Sequence, residues 1–334
     1  MAAATAMNTI APVPLLSSPP SLSAKFLEPA GLQWSRFAAN DGASLRWARL
    51  TPQEAWGQCV VVGGYSECIE KYFETVRDLA TMGLAVFCVD WRGQGGSDRG
   101  SDHDSTSAAR GRTFEQDAAD LSAFIAKMTS RERPRLLIAH SMGGAIALLA
   151  LHKDPKLVDA AVLSAPMIEV ETGPVPVFVA RILARAMMAV RAGSCFVPGA
   201  GAWHYNAELT PANSRTSHDP ERCTVLREWF ETHPRLRMDG ATFAWLHAAF
   251  ALTARLKTPA FLAGISTPIL LGSAGQDFFV DARAHRKAAQ TLPDCQLVDF
   301  PGARHELFME HDDVRVPWFA AIKAFITTRL RRSS

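Results

Sequence analysis

The feature that most constrains this chain is a series of short, near-continuous apolar runs. They are "CVVVGG" (59–64), "LAVFCVD" (84–90), "RLLIAHS" (135–141), "DAAVLSAP" (159–166), "TPILLGS" (267–273) and "CQLVDFPG" (295–302). A strand with one wet face alternates polar and apolar residues, whereas runs without alternation fit strands covered on both faces. Helical patterns lie between them. Residues 69–82 place Tyr72, Phe73, Val76, Leu79 and Ala80 at helical spacing, and residues 113–129 do the same with Phe114, Ala118, Leu121, Phe124 and Ile125. Segments 144–152, 282–291 and 314–329 complete the set. Strand and helix alternating across short links predict an α/β fold with a mostly parallel central sheet flanked by helices. "SLRWARLTP", ahead of the first run, is expected to be an edge strand.

The alternation stops between residues 168 and 258, which are expected to form a helical cap or lid inserted into a core of residues 38–167 and 259–330. The insertion holds the apolar "PVPVFVARILARAMMAV" and helix signals at 221–232 and 240–256. Helical packing accounts for most of its aromatic residues, including Trp229, Phe230 and Phe250. An insertion after the carboxyl end of a strand nevertheless lies beside the ligand crevice of such sheets. Phe243, Trp245 and Leu246 are therefore candidates for contact with an apolar substrate. Residues 1–37, rich in Ala, Pro and Ser at their start, are expected to be a flexible arm.

With 334 residues, 48% hydrophobic and 20% charged, the chain can bury a sizeable core. A net charge of +2 says little about partners, and the lack of a dense Lys/Arg stripe argues against a nucleic-acid partner. The six cysteines are scattered without a C-x-x-C pair, so neither a zinc site nor a disulfide scaffold is expected, and Cys59 and Cys88 sit in apolar runs as core residues. The N-terminus lacks a basic opening, and its prolines break any signal-peptide core. No run of about 20 apolar residues could span a bilayer. These features fit a soluble, cytoplasmic protein, with transient contact at a membrane surface left open. The basic end "TTRLRRSS" is expected to be a frayed terminus. No oligomeric state can be read from the pattern.

Ser141 lies where the strand "RLLIA" gives way to the helix "GGAIALLALH". A strand–turn–helix corner around G-x-S-x-G exposes a serine and turns the next helix's N–H groups toward it. Here the first position is Ala139, the next smallest residue, and its methyl is expected to pack under the turn. A serine needs a base, held in turn by an acid. Asp277 follows one apolar strand and His305 the next, and the order Ser141, Asp277, His305 is that of α/β-hydrolases. Asp281 is expected to cap the following helix and His140 to pack or bond within its loop; the direction of Glu306 is not legible. "HELFMEH" lacks H-E-x-x-H spacing, and neither a metal nor a cofactor is expected. The backbone N–H groups of Met142 and Tyr65 are the candidate oxyanion donors, each worth about 3 kcal/mol to a transition state.

These motifs resemble the serine α/β-hydrolases, specifically the monoacylglycerol lipase and bacterial lysophospholipase group, from about residue 38 to 328. "GGYSECIEKY" resembles the family's H-G-x-x-E-x-x-x-R-Y loop, with Gly63 in the histidine position and Lys71 in that of the arginine. Gly64 and Glu67 match it. "DWRGQGGSDR" matches D-x-R-G-x-G-x-S through Asp90, Arg92, Gly93, Gly95 and Ser97. "GSAGQDFFVD" and "PGARHELFMEHD" resemble its acid and histidine motifs. "RTSHDPER" resembles a segment of the lysophospholipase-like members, and Gly63 also leans away from the monoacylglycerol lipases. The resemblance implies a serine esterase that cleaves a fatty acyl ester, such as a lysophospholipid, through an acyl-enzyme. A monoacylglycerol lipase, a general carboxylesterase and a catalytically idle binding fold remain the alternatives. Haloalkane dehalogenases and epoxide hydrolases use an Asp nucleophile where this chain has Ser141.

Overall fold

The computed structural model describes residues 13, 16–99 and 113–331. Its elements run β1 (Gln33–Ala38), β2 (Ser44–Leu50), β3 (Gly57–Val62), α1 (Phe73–Thr81), β4 (Leu84–Val89), α2 (Phe114–Met128), β5 (Arg135–His140), α3 (Met142–Lys153) and β6 (Ala160–Ser164). There follow α4 (Val177–Ala189), α5 (Val225–Thr232), α6 (Phe243–Leu256), α7 (Pro259–Ala263), β7 (Ile269–Ala274), α8 (Ala282–Thr291), β8 (Cys295–Phe300) and α9 (Asp312–Leu330). The eight strands form one sheet in the order β1-β2-β4-β3-β5-β6-β7-β8. β1 and β2, and β2 and β4, pair antiparallel, and every later pairing is parallel.

Burial explains why the central strands read as unbroken apolar runs. Every residue of β3, β4, β5, β6 and β7 is buried. Val60 and Val62 join the core layer that includes α2 and α3, while Cys59 and Val61 join the layer that includes α1 and α9. At about 1.5–3 kcal/mol per fully buried large apolar side chain, these two layers supply the main drive for folding. All six cysteines are free thiols, and burial pushes the Cys59 and Cys88 thiols up.

Three expectations require correction. β2 is interior, not an edge: it lies between β1 and β4. The edge strand on that side is β1, whose residues are mostly exposed or half-buried and so lack a clear apolar signal. The flexible arm does not extend to residue 37. Residues 1–12, 14 and 15 lie outside the described residues, but Phe26 is wholly buried and its carbonyl accepts the Trp229 indole N–H at 3.3 Å. Finally, α9 continues to the buried Leu330, so "TTRL" is helical, and residues 332–334 lie outside the described residues.

Candidate active site

The sheet's topology brings two loops side by side. β3 pairs with β5 in parallel register, Val62 opposite Ala139, so the chain leaving β3 at Gly63–Tyr65 runs beside the turn at Ser141. Strand order reverses about β3, and ligands bind at the carboxyl ends of strands around such a reversal.

Ser141 occupies a strained corner at φ 52° and ψ −119°, a conformation that costs a non-glycine residue about 1–3 kcal/mol. Its N–H donates to the Ser164 carbonyl at 3.0 Å, and its carbonyl accepts from Met167 N–H at 2.9 Å. Close packing makes small neighbours necessary. A Cβ at Gly143 would lie 2.4 Å from the Gly63 carbonyl oxygen, and one at Gly144 would lie 2.6 Å from Pro166 Cβ. Ala139 is wholly buried in the core layer, so its methyl does not enter the site.

Consecutive parallel strands deliver the other two groups. Asp277 follows β7 and His305 follows β8. His305 Nε2 lies 2.8 Å from Ser141 Oγ, and His305 Nδ1 lies 2.5 Å from Asp277 Oδ2. Asp277 Oδ1 accepts N–H bonds from Phe279 at 2.7 Å and Val280 at 3.0 Å. Burial pushes the Asp277 carboxyl up, but His305 and these donors hold it below its ordinary value. An ionised carboxylate only accepts, so Nδ1 carries the proton and Nε2 is free to accept from the serine hydroxyl.

Met142 opens α3, and the first N–H groups of a helix have no acceptor within it. Gly64 brings the facing loop close, since a Cβ there would lie 3.0 Å from Ser141 Cβ. The loop is braced from several sides. Trp91 Nε1 donates to the Gly63 carbonyl at 2.7 Å, and Gly64 N–H donates to Glu67 Oε2 at 2.5 Å. Even a Cβ at Gly63 would meet Glu67 Oε2 at 2.7 Å and the Tyr72 ring at 3.1 Å, which accounts for glycine at that position. Asp90 fixes the neighbouring turn by accepting from Ile69 N–H at 2.9 Å and Gly96 N–H at 2.8 Å.

The remaining candidates divide. Trp245 lies beside the loop, its ring 4.6 Å from that of Tyr65, whose hydroxyl donates to the Asp239 carbonyl at 3.2 Å. Phe243 is buried in the core layer, as a packing residue would be, and Leu246 is half-buried against that layer. Asp281 caps α8 by accepting the Arg283 N–H at 2.8 Å. His140 is buried at the end of β5 and bonds across to β6, not within its own loop, Nδ1 donating to the Ser164 carbonyl at 3.1 Å; its ring centroid lies 4.7 Å from that of His305. Burial pushes His140 down to about 3 despite the nearby Glu67.

Several contacts have no signature in the linear pattern. The Phe279 ring lies 5.1 Å from that of His305. Glu67, His140 and Glu306 bring ligand-type atoms within 4.8 Å of one another, but the Lys71 ammonium pairs with both carboxylates. The cation there is the lysine's own. "RTSHDPER" is a strut for the histidine loop. The Thr216 carbonyl accepts Glu306 N–H at 3.0 Å, Ser217 Oγ donates to the Met309 carbonyl at 2.5 Å, and Arg222 spans Glu74 and Asp312.

The family model described as "Hydrolase_4: Serine aminopeptidase, S33" matches residues 53–312. Lysophospholipase L2 of Escherichia coli is 30% identical over 306 residues, covering 87% of this chain and 86% of that protein. A monoacylglycerol lipase of Mycolicibacterium smegmatis is 25% identical over 279 residues, covering 82% and 90%. Among solved structures, a soluble variant of monoglyceride lipase from Saccharomyces cerevisiae superposes with a TM-score of 0.69 at 19% identity, covering 89% of this chain and 95% of that one.

Proposed function

The chain belongs to the serine aminopeptidase S33 family of α/β-hydrolases, and from that membership and its site we propose that it cleaves the ester bond of a lysophospholipid. It is a carboxylic ester hydrolase of lipid substrates. The observation that carries the mechanism is the unbroken chain from Ser141 Oγ through His305, at 2.8 Å, to Asp277, at 2.5 Å. His305 Nε2 takes the hydroxyl proton as Ser141 Oγ attacks the acyl carbonyl. Met142 and Tyr65 N–H groups hold the oxyanion. Protonated His305 then gives its proton to the departing alcohol, leaving the acyl group on Ser141. Water attacks this ester with His305 again as base, and the fatty acid leaves.

Residues 168–258 act as a cap in two parts. The later part is anchored: Val225 and Trp229 of α5 are buried in the core layer that includes α1 and α9. By contrast, α4 buries only Ala180 and Ala184, while Phe178 is 66% and Ile182 64% exposed. Of its two charged residues, both basic, Arg185 is exposed, while the half-buried Arg181 guanidinium lies over the Phe250 ring at 5.4 Å. Phe278 and Phe279, beside the acid, are exposed as well. An apolar, basic helix face of this kind suits an anionic lipid surface, from which a single-chain lipid would enter. Among the described residues no helix is long and apolar enough to cross a membrane.

The substrate is tested by fatty acid release from a lysophospholipid, a monoacylglycerol and p-nitrophenyl butyrate. The lysophospholipid is expected to show the highest kcat/KM. Preference for the monoacylglycerol would move the assignment to the second relative's activity, and turnover of the short ester alone would contradict a lipid substrate. Surface contact is tested with Phe178→Asp/Ile182→Asp. Losing two exposed anchors of about 1.5 kcal/mol or more each weakens partition to anionic vesicles by about a hundredfold or more. Turnover of p-nitrophenyl butyrate should persist, and unchanged co-sedimentation would remove α4 as the contact.

A further inference from the structure

Two loops must keep a fixed separation for the proposed reaction: the one carrying the Tyr65 oxyanion donor and the one carrying the base. A buried chain of polar contacts joins them. Gly64 N–H donates to Glu67 Oε2 at 2.5 Å, and Tyr72 Oη donates to the same oxygen at 2.6 Å. The Lys71 ammonium pairs with Glu67 Oε1 and, at 2.8 Å, with Glu306 Oε1. Glu306 is bonded covalently to His305. The path therefore runs from the residue before Tyr65 to the residue after the base through one lysine. Its members are deeply buried, the Lys71 side chain 2% exposed and those of Glu67 and Glu306 7% and 10%.

We infer that Lys71 is a positioning residue, setting the distance and angle between the Gly64–Tyr65 loop and His305. This rests on the reaction proposed above. The electrostatics of Lys71 and Glu67 agree with a charged pair, while burial and the Glu67 charge hold the Glu306 carboxyl above its ordinary value against the pull of Lys71. Burial pushes Lys71 down, but Glu306 and Glu67 outweigh it and raise the ammonium above its ordinary value. Burial pushes Glu67 up, yet Lys71 and His140 hold it down at about 2. Removal of the ammonium takes from both carboxylates the partner they share; one then takes up a proton or the two separate, and either change releases the fixed spacing of the loops. An ordinary structural ion pair would lower stability without altering turnover by the folded enzyme. A positioning bridge predicts a specific loss, because misplacement by about 1 Å costs about a hundredfold in rate.

The test uses the full chain with p-nitrophenyl butyrate and a trifluoromethyl ketone transition-state analogue, each variant assayed well below its own Tm. Lys71→Met is expected to lower kcat about a hundredfold with KM nearly unchanged. Analogue affinity should fall in parallel. Lys71→Arg, which keeps a cation between the carboxylates, should recover most of both. Glu306→Gln leaves Lys71 and Glu67 as a balanced pair, and should show a smaller loss of the same kind if Lys71→Met does not fold. Wild-type kcat and analogue affinity in folded Lys71→Met, or in Glu306→Gln if that protein alone folds, would overturn the inference. Failure of wild type itself to hydrolyse the ester or bind the analogue would instead defeat the reaction on which the inference rests.

Discussion

Ser141→Ala is expected to reduce kcat for ester hydrolysis by about a millionfold, the scale seen when a triad nucleophile is removed. The change deletes one oxygen, the atom 2.8 Å from His305 Nε2, and leaves the oxyanion donors and the cap in place. Alanine tolerates the corner at φ 52° about as poorly as serine does, so Tm should remain close to that of wild type. Steady-state release of p-nitrophenol and a thermal melt check both halves. Retention of more than a few per cent of activity in the purified variant would assign the nucleophile elsewhere.

Asp277→Asn carries the second large effect, about ten-thousandfold in kcat with KM little altered. The reason lies in the acid's two oxygens. Oδ1 accepts from Phe279 and Val280 N–H groups, and Oδ2 accepts from His305 Nδ1. Asparagine has one carbonyl oxygen, and the two backbone donors claim it. Its amide NH2 then faces Nδ1 and donates, which places the imidazole proton on Nε2, against the Ser141 hydroxyl. The base is present but in the wrong tautomer. Measuring kcat and KM across neutral pH checks this. A loss of less than tenfold would mean that Asp277 does not orient His305, and Asp281 offers no substitute because it is committed to capping α8.

Much of this arrangement was legible in the linear chain for a physical reason. Strands buried on both faces cannot alternate, so β3 to β7 stand out as apolar runs. The carboxyl ends of β5, β7 and β8 then point directly to Ser141, Asp277 and His305. β1 was hidden because only Phe37 of its six residues is buried, although Asn40-Asp41-Gly42 is a hairpin-turn signal. Phe26 is buried in the layer that includes α1 and α9, and its carbonyl meets Trp229, 203 residues away, a contact with no trace in the local pattern. Glu306 was equally silent: it adjoins the base in sequence, but its role depends on Lys71 arriving from another loop. The strut 215–222 reads as part of a cap, and only its bonds to the histidine loop reveal that it is fixed.

The central claim, that Ser141 is the activated nucleophile of an ester hydrolase, is tested most directly by a fluorophosphonate. Folded protein is treated with the probe, digested, and the modified peptide identified by mass spectrometry. One adduct is expected, on Ser141, absent from Ser141→Ala and formed far more slowly in Asp277→Asn. An adduct on another residue, or none on correctly folded wild type, would contradict it.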